Sequence, residues 1–252
     1  MNVENTYNEY WSSGLHQTQE WTDEQVRRYL GPLLGRQSVL DYGCGRGLSY
    51  QRKLAAIVGR YTGADVSGVA LEATRNRGLS VLHIEPSSGA IAATGGTFDA
   101  AVCSEVFEHL FEPLNAAREI HRVLCPGGVL VATVPNFGYL PWRLMALLRA
   151  QVPSEPDDHV GNRYHGVHIR FFSKLMLKRL LQNAGFVDIT VGSFDNASVW
   201  DVFYAAGPLA RITNWARRNL PTPFHLRFLQ DVWPNVFAVR LRAVAFKPVT
   251  LT

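Results

Sequence analysis

Three glycines stand at alternate positions in Asp41-Tyr42-Gly43-Cys44-Gly45-Arg46-Gly47, directly after a short β-branched run. Glycine permits backbone dihedral angles and close approaches that a side chain would prevent. A helix that follows such a turn directs unpaired N–H groups and the positive end of its dipole towards a ligand. The segment therefore predicts a turn that binds a nucleoside-like cofactor.

A carboxylate supports this interpretation of the glycine turn. Asp65 lies 24 residues after Asp41 and closes the second predicted strand, where it can accept hydrogen bonds from both hydroxyls of a ribose. A dinucleotide-binding turn uses the same logic with the pattern G-x-G-x-x-G. Here Leu48 occupies the third glycine position of that pattern, which argues against a dinucleotide.

A second group of polar residues follows the fourth predicted strand, in Glu105-Val106-Phe107-Glu108-His109. Two carboxylates and an imidazole at this spacing can converge on one divalent ion. His109 alone can instead act as a general base. The structural alternatives also stay open: Glu105 capping the adjoining helix, Glu108 solvated, and His109 packed as a neutral ring beside the cofactor.

Short apolar runs alternate with helix-length segments, which predicts a parallel sheet covered by helices. The carboxyl ends of parallel strands share one edge, so both polar groups above should face one crevice. The predicted strands are Ser38–Tyr42, a strand ending at Asp65, 79–84, Phe98–Ser104, 129–134, 187–191 and 236–246, the last near a sheet edge. The predicted helices are 47–58, 67–77 with Ser67 as N-cap, 114–124 opened by Pro113, 141–149, and Lys174–Asn183 with Ser173 as N-cap.

The composition limits the class of protein. The formal net charge is +4, and the basic residues are scattered, which favours a solvated surface over a nucleic-acid or anionic-membrane surface. Three cysteines, an odd number, argue against a disulfide framework and for a reducing compartment. No run approaches the length of a membrane-spanning helix. These features predict a soluble, cytoplasmic protein without a transmembrane segment.

Across residues 36–190 the motifs and their order resemble those of class I S-adenosylmethionine-dependent methyltransferases, in particular the ubiquinone-pathway and related small-molecule O-methyltransferases. The matching segments are Val39 to Gly47, Gly63-Ala64-Asp65-Val66-Ser67, Phe98 to Val102, Pro126-Gly127-Gly128, His168 to Ser173 and Ala184-Gly185-Phe186. The resemblance implies an α/β fold, a doubly wound, mostly parallel seven-stranded, Rossmann-like sheet with an inserted cap.

The resemblance also implies a set of residues for S-adenosylmethionine. Gly43, Gly45 and Gly47 would border the methionine part, and Asp65 would bind the ribose. Glu85 is the nearest counterpart of an aspartate that meets the adenine amino group in many family members. The full implied set is Asp41, Gly43, Cys44, Gly45, Gly47, Asp65, Val66, Glu85 and Ser104.

The E-x-x-E-H segment is similar to the metal-binding segment of ubiquinone-pathway O-methyltransferases and of small-RNA 2′-O-methyltransferases. In the RNA enzymes a further histidine completes the site, and His168, before Phe171-Phe172-Ser173, stands in the corresponding place. The implied catalytic residues are Glu105, Glu108 and His109. The implied ligands of a Mg²⁺ or Zn²⁺ ion are Glu105, Glu108, His109 and His168.

We expect a single methyltransferase domain over 1–252, with a helical N-terminal cap at 1–35 and insertions at 135–170 and 196–235 that cover the acceptor site. Tyr10, Trp11 and His165 are the candidate substrate residues. Aromatic side chains in these segments favour an apolar, aromatic or lipid-like acceptor.

Three functions remain open from the sequence. The first is methylation of a small molecule, on a hydroxyl oxygen before nitrogen or carbon. The second is methylation of RNA or of a glycan sugar; nucleic acid ranks low because no aromatic and basic residues interleave as in single-strand binders. The third is binding of S-adenosylmethionine without catalysis. Peripheral membrane contact and the oligomeric state stay open.

Overall fold

A central sheet organises the chain in the computed structural model, which describes residues 3–13, 20–149, 168–194 and 232–249. Seven strands of this described part form one sheet in the order β3-β2-β1-β4-β5-β7-β6. Neighbours among β1 to β5 run parallel, and β7 runs antiparallel to β5 and β6. The strands are β1 Ser38–Tyr42, β2 Arg60–Asp65, β3 Ser80–His83, β4 Phe98–Ser104, β5 Leu124–Pro135, β6 Val187–Ser193 and β7 Arg240–Phe246. The predicted doubly wound, mostly parallel sheet is confirmed.

Helices cover both faces of this sheet, and their starts follow local capping chemistry. The Ser67 hydroxyl accepts a hydrogen bond from the backbone of Ala70, and Ser173 caps its helix in the same way. The described helices are α1 Val3–Ser12, α2 Asp23–Tyr29, α3 Gln51–Ala55, α4 Gly68–Arg75, α5 Pro113–Val123, α6 Leu140–Arg149, α7 Lys174–Asn183 and α8 Pro234–Phe237. None of these helices is long and apolar enough to cross a lipid bilayer.

The central strands are apolar at consecutive positions because both of their faces are buried. Leu40 and Leu130 belong to the core under α5 and α7, which also contains Ile120. Their neighbours Val39 and Val131 belong to the core on the opposite face, under α2 and α3. Successive side chains of these strands therefore enter the two cores in turn. This burial on both faces fixes the register of the strands that carry the site.

The structure corrects two sequence predictions. The predicted strand 236–246 begins only at Arg240, because Pro234 opens the short helix α8 instead. β7 lies next to the edge strand β6, near the sheet edge as expected, and the Arg242 guanidinium donates to the Arg28 carbonyl. The helix predicted over 47–58 is shorter and begins at Gln51.

A fully buried carboxylate lies under the glycine turn. Both oxygens of Asp41 accept hydrogen bonds from tyrosine hydroxyls, Tyr50 at 2.9 Å and Tyr61 at 2.7 Å. Burial raises the pKa of Asp41 to about 6, while the tyrosine bonds act in the opposite direction by favouring the ionised form. Asp41 therefore fixes β1 against β2 and α3.

This network predicts a pH-dependent effect of Tyr61→Phe. The folded-state pKa of Asp41 lies above its ordinary value of 3.8, so its stability contribution is present below about pH 4 and is lost as the pH rises through about 6. Removing the Tyr61 donor raises that pKa further. We expect a loss of about 1.5–3 kcal/mol in the free energy of unfolding at about pH 8, where the carboxylate is ionised, and about 1 kcal/mol at about pH 5. Urea denaturation at both pH values measures it.

Tyr42→Phe is the matched control for this prediction. The Tyr42 hydroxyl donates to a neutral acceptor, the Gly89 carbonyl, at 2.8 Å. Its loss should cost about 1 kcal/mol equally at both pH values. An equal cost of Tyr61→Phe at the two pH values would show that Asp41 is not ionised in the folded protein.

Candidate active site

The glycine turn after β1 takes a conformation that favours glycine at each of its three glycine positions. Gly43, Gly45 and Gly47 have φ values of 82°, 54° and 66°, in the left-handed region. The Gly43 backbone N–H donates to the Ala64 carbonyl at 2.7 Å. The Thr74 hydroxyl donates to the Gly45 carbonyl at 2.8 Å. The turn is thus held to β2 on one side and to α4 on the other.

Asp65 ends β2 directly beside this turn, as the sequence predicted. Its Oδ2 accepts from the Gly45 backbone N–H and its Oδ1 from the Ser67 N–H, each at 2.9 Å. Burial raises the pKa of Asp65, and these backbone donors oppose that rise. The carboxylate therefore joins the turn to the start of α4.

The other predicted cofactor residues have different local roles. Cys44 is buried, and its Sγ lies 2.7 Å from the position of a β-carbon on Gly63. The Val66 carbonyl lies 3.1 Å from Nε2 of His83. Glu85 is exposed in the turn after β3 and accepts from the Ser87 hydroxyl at 2.9 Å. The hydroxyl of Ser104 bonds that of Thr133 at 2.9 Å.

Three of the four predicted metal ligands come together. The side chains of Glu108, His109 and His168 each offer a ligand atom, and these atoms all lie within 4.8 Å of one another. The two imidazole centroids are 4.9 Å apart, and Nε2 of His109 lies 3.8 Å from Oε1 of Glu108. We call this group the Glu-His-His cluster.

Backbone hydrogen bonds place His168 in the cluster. Phe107–His109 forms a short 3-10 turn after β4, and the Glu108 carbonyl accepts from the N–H groups of Ile169 and Arg170 at 2.9 and 3.0 Å. The same segment then forms a parallel bridge between Phe172 and Asn136, just beyond β5. Segments far apart in sequence therefore meet at the carboxyl edge of the sheet.

Glu108 is in an unusual environment for an acid. Its side chain is only 1% exposed, and no other residue in the described ranges donates a hydrogen bond to either carboxylate oxygen. Burial holds the pKa of Glu108 well above its usual value, nearby Glu105 raises it further, and Arg240 partly opposes the shift. Such a group is costly to bury unless a cation or a proton accompanies it.

Glu105 is the member of the predicted ligand set that the structure does not bring to the cluster. Its φ of 56° turns the chain sharply at the end of β4. Its Oε1 accepts from the Thr133 hydroxyl at 2.9 Å, and its Oε2 lies 3.9 Å from Nε of Arg240. Sequence reasoning missed both partners, because they come from β5 and β7 and no local spacing indicates them.

Two side chains fill the space next to the glycine turn. A β-carbon on Gly43 would collide with Cγ2 of Val106, which belongs to the segment carrying Glu108. A β-carbon on Gly45 would lie 2.8 Å from two indole carbons of Trp11. The turn therefore contacts the acidic segment on one side and α1 on the other.

The candidate substrate residues are placed unevenly. Trp11 borders the glycine turn, and the Tyr10 ring packs edge-on against it with centroids 5.0 Å apart. Phe171, which comes soon after His168 in the sequence, packs its ring against Phe137 with centroids 5.1 Å apart. His165 lies outside the described residues.

The sequence matches a protein-family model over most of its length. The model of a family described as "Methyltransferase domain" matches residues 15–191. The chain belongs to this methyltransferase family. With the sheet order and the glycine turn already described, the expected S-adenosylmethionine-dependent methyltransferase of the class I fold is confirmed.

Two relatives of this chain have names that describe different methyltransferase reactions. A ubiquinone biosynthesis O-methyltransferase of Psychrobacter arcticus is 35% identical over 65% of this chain and 63% of its own. A tRNA U34 carboxymethyltransferase of Alcanivorax borkumensis is 31% identical over 80% of this chain and 58% of its own. The chain thus spans about half to two thirds of the length of the curated relatives it matches.

Solved structures share the fold of this methyltransferase at low identity. A Thermotoga maritima S-adenosylmethionine-dependent methyltransferase, described as a possible histamine N-methyltransferase, has a TM-score of 0.57 at 18% identity and covers 97% of both chains. Phosphoethanolamine N-methyltransferase 2 of Haemonchus contortus, solved with S-adenosylmethionine, also has a TM-score of 0.57, at 17% identity. That match covers 98% of this chain and 57% of the other.

The contact between Gly43 and Val106 predicts the effect of Gly43→Ala. The new methyl group would push Val106 and strain the turn, at about 1–3 kcal/mol. We expect the affinity for S-adenosylmethionine, measured by calorimetry, to fall by about tenfold. Adding Val106→Ala should restore most of it by removing the colliding side chain.

Gly78→Ala is the matched control, since Gly78 has a similar φ of 79° but open space around it. It should lose about 1 kcal/mol of stability from the left-handed backbone alone and keep normal cofactor affinity. Normal cofactor affinity in Gly43→Ala would contradict the assignment of this turn to the cofactor.

Proposed function

We propose that this methyltransferase moves the methyl group of S-adenosylmethionine to a hydroxyl oxygen of a small apolar or aromatic acceptor, with a divalent metal ion held by Glu108, His109 and His168. The observation that carries the proposal is the buried Glu108 carboxylate beside two imidazoles, to which no other described residue donates a hydrogen bond.

The residues present fit a metal ion. A buried carboxylate without a partner costs several kcal/mol, and a cation between it and two imidazoles offsets that cost. One oxygen and two nitrogen ligands suit Zn²⁺ better than Mg²⁺, which prefers oxygen ligands alone. When bound, the ion would bind the acceptor oxygen and lower the pKa of its hydroxyl.

The protein's own groups must align the acceptor with the methyl group and accept the proton of the acceptor hydroxyl. In methyl transfer the bond from sulfur to the methyl carbon breaks as the acceptor oxygen forms a bond to that carbon. His109 keeps 19% of its side chain exposed, so it has access to the crevice, unlike Glu108. Without an ion, its imidazole is the candidate base for the hydroxyl proton.

Aromatic side chains support an apolar acceptor. Phe137 and Phe171 stack near the carboxyl edge of β5, and Tyr139 is buried against the following helix. We extend the proposal to the N-terminal cap, of which α1 lies beside the glycine turn. Most of the predicted insertions 135–170 and 196–235 lies outside the described residues. The names of the ubiquinone-pathway relatives are consistent with a phenolic acceptor.

RNA is the second candidate acceptor, because one relative is named for a tRNA nucleotide. An RNA acceptor predicts that affinity falls steeply with salt, since each neutralised phosphate releases a counterion. A small phenolic acceptor predicts little salt dependence.

Removal of a cluster ligand tests the metal. Glu108→Gln keeps the size of the side chain but removes the negative charge that the ion requires. We expect the affinity for Zn²⁺, measured with a competing chelator, to fall at least about tenfold, and His168→Ala to act in the same direction. Glu105→Gln is the control that should change the Zn²⁺ affinity far less, because its carboxylate bonds Thr133 and acts on the cluster only through its charge. Methyl transfer that survives exhaustive chelation would end the metal proposal.

Replacement of His109 tests the reaction itself. His109→Ala should reduce kcat by about a hundredfold or more, because either the ligand or the base is lost. The dissociation constant of S-adenosylmethionine should change by less than about twofold, because the cofactor turn is intact. Formation of S-adenosylhomocysteine with a panel of phenolic acceptors gives the rate, and unchanged turnover would remove His109 from the site.

A further inference from the structure

The order of the strands locates the sulfur of the methyl donor. Asp65 ends β2, the Glu-His-His cluster follows β4, and β1 lies between these two strands. In S-adenosylmethionine the sulfur joins the ribose to the methyl group. With the ribose at Asp65 and the acceptor at the cluster, the sulfur must lie over the end of β1, at Gly43 and Gly45.

Trp11 lies at this same place. Two carbons of its six-membered ring, Cη2 and Cζ2, are 2.8 Å from where a β-carbon of Gly45 would be. The Gly45 N–H and carbonyl are bonded to Asp65 and Thr74, so the turn cannot move away from the indole without breaking those bonds. Gly45 thus makes room for an aromatic ring beside the cofactor turn.

The helix that carries Trp11 is anchored to the ribose side of the site. Oδ1 of Asn8, on α1, accepts from the Ser67 hydroxyl at 2.7 Å and from the Val69 N–H at 3.3 Å. Ser67 in turn donates its N–H to Asp65. The Tyr10 ring, nearly perpendicular to the indole at 87°, supports its orientation. Trp11 is therefore positioned by the same hydrogen bonds that build the ribose site.

We infer that Trp11 is a specificity-determining residue that recognises the positive charge of the sulfonium through its indole ring. A cation near an indole face is attracted by the ring quadrupole, and tryptophan is the strongest of the aromatic partners. This inference rests on the use of S-adenosylmethionine in the proposed function.

The reaction itself changes what the ring recognises. When the bond between sulfur and the methyl carbon breaks, its electron pair stays on sulfur, and the sulfonium becomes the neutral thioether of S-adenosylhomocysteine. The methyl group leaves with the acceptor oxygen, whose proton passes to a base. The indole then loses its cationic partner. S-adenosylhomocysteine therefore binds without the cation–π contribution that the sulfonium receives.

The test compares two ligands on the full-length protein. Dissociation constants of S-adenosylmethionine and S-adenosylhomocysteine are measured by calorimetry for the wild type, Trp11→Phe and Trp11→Leu. Trp11→Leu should weaken S-adenosylmethionine about two- to tenfold more than S-adenosylhomocysteine, and Trp11→Phe should lie between, because it keeps a weaker ring. Trp21→Phe is the control: Trp21 packs against Tyr29, Tyr50 and Phe194, away from the glycine turn, and its replacement should leave the ratio unchanged.

The outcomes separate this inference from the proposed function. If Trp11→Leu lowers the affinity for both ligands equally, Trp11 contributes only packing. This result overturns the inference but leaves the proposed methyl transfer intact. No effect on either ligand also overturns it. A wild-type protein that binds neither ligand overturns the proposed function as well. If Trp11→Leu fails to fold, the ratio in Trp11→Phe decides, and an unchanged ratio there counts against the inference.

Discussion

The carboxylate of Asp65 accepts the backbone N–H groups of Gly45 and Ser67 in the interior of the protein. One side chain thereby fixes the relative positions of the turn after β1, the end of β2 and the start of α4. A carboxylate removed from water needs such donors, and donors at these places need the turn to adopt left-handed dihedral angles. Together with the bonds from Gly43 to Ala64 and from Thr74 to Gly45, these bonds hold the glycine turn in its shape.

Two close contacts then extend the order of the turn to the reacting groups. The side chain of Val106 occupies the space beside Gly43, so the segment that carries Glu108 and His109 packs directly against the turn. The indole of Trp11 occupies the space beside Gly45, so α1 packs against the other side of the turn. The glycine turn, the segment that carries Glu108 and His109, and α1 are thus parts of one packed unit. A small change in the turn should be felt at the Glu-His-His cluster, since tightly packed interiors transmit displacements.

Much of this arrangement could be predicted from local patterns. The strand Ser38–Tyr42 and the caps Ser67 and Ser173 follow from periodicity and capping chemistry. The meeting of His168 with Glu108 and His109 was implied only by the resemblance to known methyltransferases. The side chain of Glu105 could not be predicted, because its left-handed φ directs it to Thr133 and Arg240, which arrive through strand pairings that spacing does not encode. Asp41 was expected at the cofactor, but both of its oxygens bond tyrosines, one of them, Tyr61, from the neighbouring strand.

The central claim is that the methyl donor lies over the glycine turn and directs its methyl group at the Glu-His-His cluster. The direct test is a crystal structure with S-adenosylhomocysteine and Zn²⁺, in which the anomalous signal of zinc locates the ion. The account predicts the sulfur beside Gly43 and Gly45, the ribose hydroxyls on Asp65, and the ion bound by Glu108, His109 and His168. A sulfur that faces away from the cluster, or an anomalous peak elsewhere while the cluster holds none, would contradict it.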